Sequence, residues 1–146
     1  MPVAMSTLEN KKIVQRFLRA WSADGLAIVD ELASPDILVS YPFPPEPMRG
    51  REAFKDFLQK FVGALPDVTV SVDDIIAEGD KVAVRWRFRG TQDGPLFGWP
   101  PTGRTVEGSG LSFYRVVDGQ VVEEIGVGNT LGVLLQIGAV QLPFPT

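Results

Sequence analysis

The sequence predicts an α+β domain, with helices packed on the concave face of a cone-shaped, curved antiparallel sheet and a short C-terminal helix. Two observations carry this prediction. Segments with helical periodicity occupy the first part of the chain, and from Val68 onward four segments of period-two or β-rich character follow one another. No repeat, low-complexity run or linker interrupts the 146 residues, so residues 1–146 are expected to form one domain. A chain of this length buries about two thirds of its unfolded surface and needs no covalent staple.

The elements follow in order. Ser6 and Glu9 have capping-box spacing ahead of Val14, Phe17, Leu18 and Trp21, which fall on one helical face. Gly25 is expected to end that helix. A second short helix is predicted over Leu26–Leu32, stopped before Pro35. Ile37–Tyr41 reads as a strand, and Pro42, Pro44, Pro45 and Pro47 force an extended loop after it. Phe54, Phe57, Leu58 and Phe61 mark a third helix. Strands are predicted over Val68–Ala77, Lys81–Gly90, Thr105–Val117 and Gln120–Val127, and a closing helix over Leu131–Ile137. Val82, Val84, Trp86 and Phe88 alternate with Ala83, Arg85, Arg87 and Arg89, as in a strand with one face in the core and one in water. Gly108 and Gly110 inside a strand mark a bend or a close approach, which suits a curling sheet.

Composition narrows the chemistry. With neither cysteine nor histidine, disulfides, thiolate metal sites and the commonest metal ligand and general base are excluded. No carboxylate cluster suggests a metal, and no cofactor is expected. The net charge of −4 argues against nucleic-acid binding. There is no glycine-rich phosphate cradle with its lysine. No apolar run reaches membrane-spanning length and no signal-peptide pattern opens the chain, so a cytoplasmic protein without a membrane partner is expected.

Asp118-Gly119 between apolar residues predicts a two-residue type I′ hairpin, which sets the register of the last two long strands. Val117 then faces Gln120, Tyr114 faces Glu123, Ser112 faces Ile125, Gly110 faces Val127 and Gly108 faces Asn129. Cross-strand partners share a face. One face therefore carries Ser112, Tyr114, Glu123, Ile125, Val127 and Asn129, and the other Leu111, Phe113, Arg115, Glu124 and Gly126.

The order of elements resembles the cone-shaped fold shared by ketosteroid isomerase and nuclear transport factor. The local sequence is more specific. Val82–Arg85 with Gly90-Thr91, then Gly98 and Pro100-Pro101-Thr102-Gly103, resembles the SnoaL-like polyketide cyclase family. So do Gly50-Arg51-Glu52-Ala53, Asp118-Gly119 with Val122-Glu123-Glu124, and Leu131-Gly132 with Gln136 and Gly138. The resemblance covers about residues 8–138. It implies that the face bearing Tyr114, Glu123 and Asn129 lines the cavity, because the family's polar site residues fall at the end of that row. Three positions depart from the family. Its acid/base aspartate before the closing helix is Asn129 here, its histidine after Gly-Thr is Gln92, and its histidine after the first strand falls at Tyr41-Pro42.

The resemblance and the residues together single out four polar candidates. Glu123 is the only carboxylate that the hairpin register places on the cavity face, where burial would raise its pKa and suit it to acid/base work. Asn129 serves either as the cap of the closing helix or as a donor to a substrate oxygen, and the two roles are compatible. Gln92 is either a cavity donor or a loop residue. Tyr114 is either an oxyanion donor or a core tyrosine. Trp21, Tyr41, Phe43, Phe61, Trp86, Phe97 and Trp99 are candidates to line a pocket for a flat, apolar ligand. Phe97 and Trp99 lie on a Pro- and Gly-rich loop that forms either a pocket wall or a plug. Glu46 and Asp93 read as solvated loop charges.

The function expected is a cofactor-independent enzyme acting on a small apolar molecule, polyketide- or isoprenoid-like, by cyclisation, isomerisation, dehydration or epoxide opening. The alternatives are a non-catalytic binding protein of the same fold and an interaction domain with a filled cone. A homodimer is expected, and an interface on the face carrying Leu111 and Phe113 would explain its apolar character.

Overall fold

A computed structural model describes residues 6–145. Helix α1 (Thr7–Phe17) is capped by Ser6, whose hydroxyl accepts from the Glu9 amide at 3.1 Å. The chain continues as a 3₁₀ turn over Leu18–Trp21, so the helix stops at Ser22 rather than at Gly25. Gly25 instead precedes α2 (Leu26–Leu32), where it lies against the backbone of Arg19 and Ala20; a Cβ there would overlap both. Strands β1 (Ala33–Ser40) and β2 (Met48–Arg49) follow, then α3 (Arg51–Ala64). The remaining elements are β3 (Thr69–Glu78), β4 (Lys81–Thr91), β5 (Thr105–Val117), β6 (Gln120–Gly128) and α4 (Thr130–Gln136), each close to its predicted span.

The strands form one sheet in the order β2-β1-β6-β5-β4-β3, not closed into a barrel. The pairings are antiparallel except β1 with β6, which run parallel. The sheet is therefore mixed. The sequence reading missed this because β1 reaches β6 across more than half of the chain, and nothing local records the direction of that pairing. Breaks in register fall in β1/β6, in β3/β4 between Val72 and Asp74, and in β5/β6 between Arg115 and Val116. Such bulges add local twist and bend the sheet.

Helices α1 and α3 pack on the inner face. Val14 and Phe17 of α1 and Phe54 and Leu58 of α3 meet Ile37, Val39, Val82, Val84 and Tyr114 of the sheet in one core cluster. A second cluster joins Ala64 and Leu65 to Val68, Leu96 and Val106, with Val133 and Ile137 of α4 closing it. The alternation of β4 holds: Val82 and Val84 are buried, while Arg85, Arg87 and Arg89 face solvent and pair with Asp74, Asp73 and Glu107.

Candidate active site

A cavity of about 620 Å³ opens between the two core clusters and takes lining residues from both. Its walls are almost wholly apolar. Phe61 meets Phe88 edge-on at 5.2 Å and Trp21 at the same distance, while Trp86 stacks on Phe88 at 6.2 Å. Glycines make room for these rings. A Cβ at Gly108 would overlap the Phe88 ring, and one at Gly110 would overlap Trp86. The strand glycines are thus sites of close approach, with the aromatic wall lying where side chains would otherwise stand.

Behind this wall lies a buried polar chain. Trp86 Nε1 donates to Ser112 Oγ at 2.9 Å. Ser112 Oγ lies 3.2 Å from the Tyr41 hydroxyl, which donates to Glu124 Oε2. Tyr41 begins the loop after β1, and its ring lies over Gly126, where a Cβ would overlap it. Glu124 is fully buried, and burial pushes its carboxyl from the ordinary 4.5 to about 7, against the opposing pull of Tyr41 and Tyr114. Burial and the neighbouring carboxylate hold both phenols well above their usual pKa, so each stays a proton donor. Glu124 Oε1 and the Tyr114 hydroxyl are buried with no hydrogen-bond partner. The phenol and the carboxyl lie near enough to act on each other's titration, and both atoms are shut off from solvent.

Glu124 takes the place foreseen for Glu123. The turn forms as predicted, with Asp118 and Gly119 both at positive φ (51° and 78°), and Val117 pairs Gln120. One residue further the register slips: Val116 pairs Val121, but Arg115 pairs Glu123, so Val122 is extra. From there every side chain of β6 changes face relative to the predicted register. Glu123 shares the outer face with Arg115, and Glu124 turns inward beside Tyr114. Ile125 and Val127 are likewise exposed rather than inside. The sequence held one signal of this: Val121-Val122 followed by Glu123-Glu124 breaks the period-two alternation.

Gln92 is also corrected. It is buried and does not line the cavity. Its Nε2 donates to the carbonyls of Trp99 and Pro100 at 3.2 and 3.1 Å, and Thr102 Oγ1 donates to its Oε1 at 2.7 Å. The amide is spent on pinning the 95–104 loop. Trp99, at the end of the 96–99 turn, is not among the residues lining the cavity, whereas Phe97 lines it and meets Phe43 edge-on at 5.1 Å. Asn129 Oδ1 caps α4 by accepting from the Gly132 amide at 3.0 Å, and the residue also lines the cavity. Trp21, Tyr41, Phe43, Phe61, Trp86, Phe97 and Tyr114 all line it too. The loop therefore forms a wall and does not plug the cone. No group of three or more metal-ligating side chains occurs among the described residues, and no helix among them is long and apolar enough to cross a membrane.

Known proteins agree with this architecture. The family model of SnoaL-like polyketide cyclases matches residues 11–137. No curated protein matches the chain significantly. Among solved structures, a candidate SnoaL-like polyketide cyclase from Jannaschia sp. CCS1 is 27% identical, with 97% of this chain and 99% of that one covered and a TM-score of 0.85. AclR, a candidate hydroxylase from Streptomyces galilaeus, is 29% identical over 93% of this chain and 100% of its own, with a TM-score of 0.82. IdmH, a candidate polyketide cyclase from Streptomyces antibioticus, is 32% identical over 88% and 98%, with a TM-score of 0.77. With the family model spanning nearly all of the helices, the sheet and the cavity they enclose, the chain belongs to the SnoaL-like polyketide cyclase family.

Proposed function

We propose that this protein is a cofactor-independent enzyme that moves a proton on a small, largely apolar substrate of polyketide or isoprenoid type, in a cyclisation, isomerisation, dehydration or epoxide opening. One observation carries the reading: a buried carboxyl that titrates near pH 7, Glu124, sits behind a tyrosine on the floor of an apolar cavity. A group poised near the working pH can both take and return a proton.

Tyr41 touches both the cavity and Glu124, so it links the substrate to the carboxylate. In an enolisation, the substrate C–H bond breaks and its electron pair moves onto the carbonyl oxygen. The proton passes to the Tyr41 oxygen as the Tyr41 proton passes to Glu124. The Asn129 amide on the cavity wall donates to the developing enolate oxygen, with Tyr114 of the same wall as a second donor. Return of the proton to a different atom completes an isomerisation or ring closure. Ser112 and Trp86 position the Tyr41 hydroxyl.

The test is deuterium exchange next to the carbonyl of a polycyclic ketone such as 2-tetralone, followed by proton NMR near pH 7.5. The protein should accelerate exchange, and Glu124→Gln should lose about a hundredfold or more. Equal exchange by the variant overturns the role of Glu124. A second reading, a binding protein without turnover, is favoured by Asn129 and Gln92 standing where relatives offer titratable groups. Saturable binding of the ketone with no accelerated exchange would establish it. We further propose that the protein is a homodimer, because Leu111, Phe113, Ile125 and Val127 form an exposed apolar patch on the outer face of the sheet.

A further inference from the structure

We infer that Lys60 selects substrates bearing a carboxylate, which it holds at the rim of the cavity while the apolar body lies within. This inference rests on the cavity being the substrate site. Among the residues that line the cavity, Lys60 alone carries a formal charge, although the whole chain has a net charge of −4. Phe57, Lys60, Phe61 and Ala64 all line it, at the spacing that puts them on one face of α3. The lysine is therefore on the cavity side of its helix by position. Lys60 is exposed, so its stem can follow the apolar wall while its ammonium stays in water at the rim.

Among the described residues Lys60 also lacks an ion-pair partner, whereas Lys55, one turn earlier, is held by Asp30 at 2.5 Å. No lining residue is acidic. An unpaired cation beside low-dielectric walls attracts anions from solution and orients those that enter. At the far end the Glu124 carboxyl lies behind Tyr41, and in the anionic form that accepts the proton it would repel a substrate carboxylate. Charge thus favours one orientation: the acidic end at Lys60 and the reacting carbonyl at Tyr41 and Tyr114.

Calorimetric titration with 2-naphthoate and its neutral analogue 2-naphthamide tests this. At low salt the protein should bind the carboxylate about fivefold more tightly than the amide, and 0.5 M NaCl should shrink that preference. Lys60→Gln should abolish it and Lys60→Glu reverse it. Equal binding of both probes by the unsubstituted protein, or a preference that survives in Lys60→Gln, overturns the inference while leaving the cavity reading intact. Binding of neither probe at millimolar concentration overturns both.

Discussion

Glu124 is the proton acceptor of the proposed reaction, and its burial has a consequence for stability. The folded protein keeps the proton up to about pH 7, whereas an ordinary carboxyl, as in the unfolded chain, releases it near 4.5. Between these values folding retains a proton that the unfolded chain has lost, so stability falls as pH rises, by about 1.4 kcal/mol per unit and roughly 3 kcal/mol in all. Below 4.5 the group contributes no penalty, and above 7 the penalty is complete. Urea denaturation of Glu124→Gln should lack this slope, and the variant should be the more stable protein at pH 8. An unchanged slope would mean that Glu124 does not titrate as a buried group. The contrast with Glu123 shows how little of this is local. The two glutamates are adjacent and chemically identical, and a single extra residue at Val122 decides which of them enters the core.

At the scale of elements, the helices and the hairpin turn were legible because their signals are local. Capping residues, one-sided apolar faces and an Asp-Gly turn each act within a few residues, and Ser6, Leu26–Leu32 and Asp118-Gly119 all stand where they were expected. The bulge in β6 was masked by the outer face of the sheet, which is apolar at Ile125 and Val127, so either register presents hydrophobic residues to either side. Strand glycines then become decisive. At Gly126 a Cβ would overlap the Tyr41 ring and stand 2.6 Å from Ser112 Oγ. Gly126→Ala should destabilise the protein by about 1–3 kcal/mol through overpacking. It should also push the Tyr41 hydroxyl off Glu124 and, by removing a donor to the carboxylate, raise the Glu124 midpoint further above 7 as read by carbon-13 NMR. A midpoint that does not move would show that Tyr41 keeps its bond and that the ring is not seated by Gly126.

For the whole molecule, the two faces of the sheet have separate tasks. The inner face encloses the cavity, and the outer face carries both the paired arginines of β4 and the apolar patch of β5 and β6. Phe113 and Val127 are 60% and 59% exposed, enough that a second copy could bury much of their surface. Sedimentation equilibrium should find a dimer, and Val127→Glu should give a monomer with an unchanged far-UV spectrum. A monomeric parent protein would overturn this assignment of the outer face.

The sequence by itself determined the α+β class, the order of elements and the aromatic character of the pocket, because periodicity, caps and turns are written in neighbouring residues. The family resemblance, added to those local signals, is what placed Tyr114 on the cavity face. Only the tertiary structure decided that β1 runs parallel to β6, that Gln92 is consumed by its own loop, and that Glu124 rather than Glu123 is the buried acid. Each of these depends on strands or loops meeting across the fold, and a one-residue slip in such a meeting inverts every side chain beyond it.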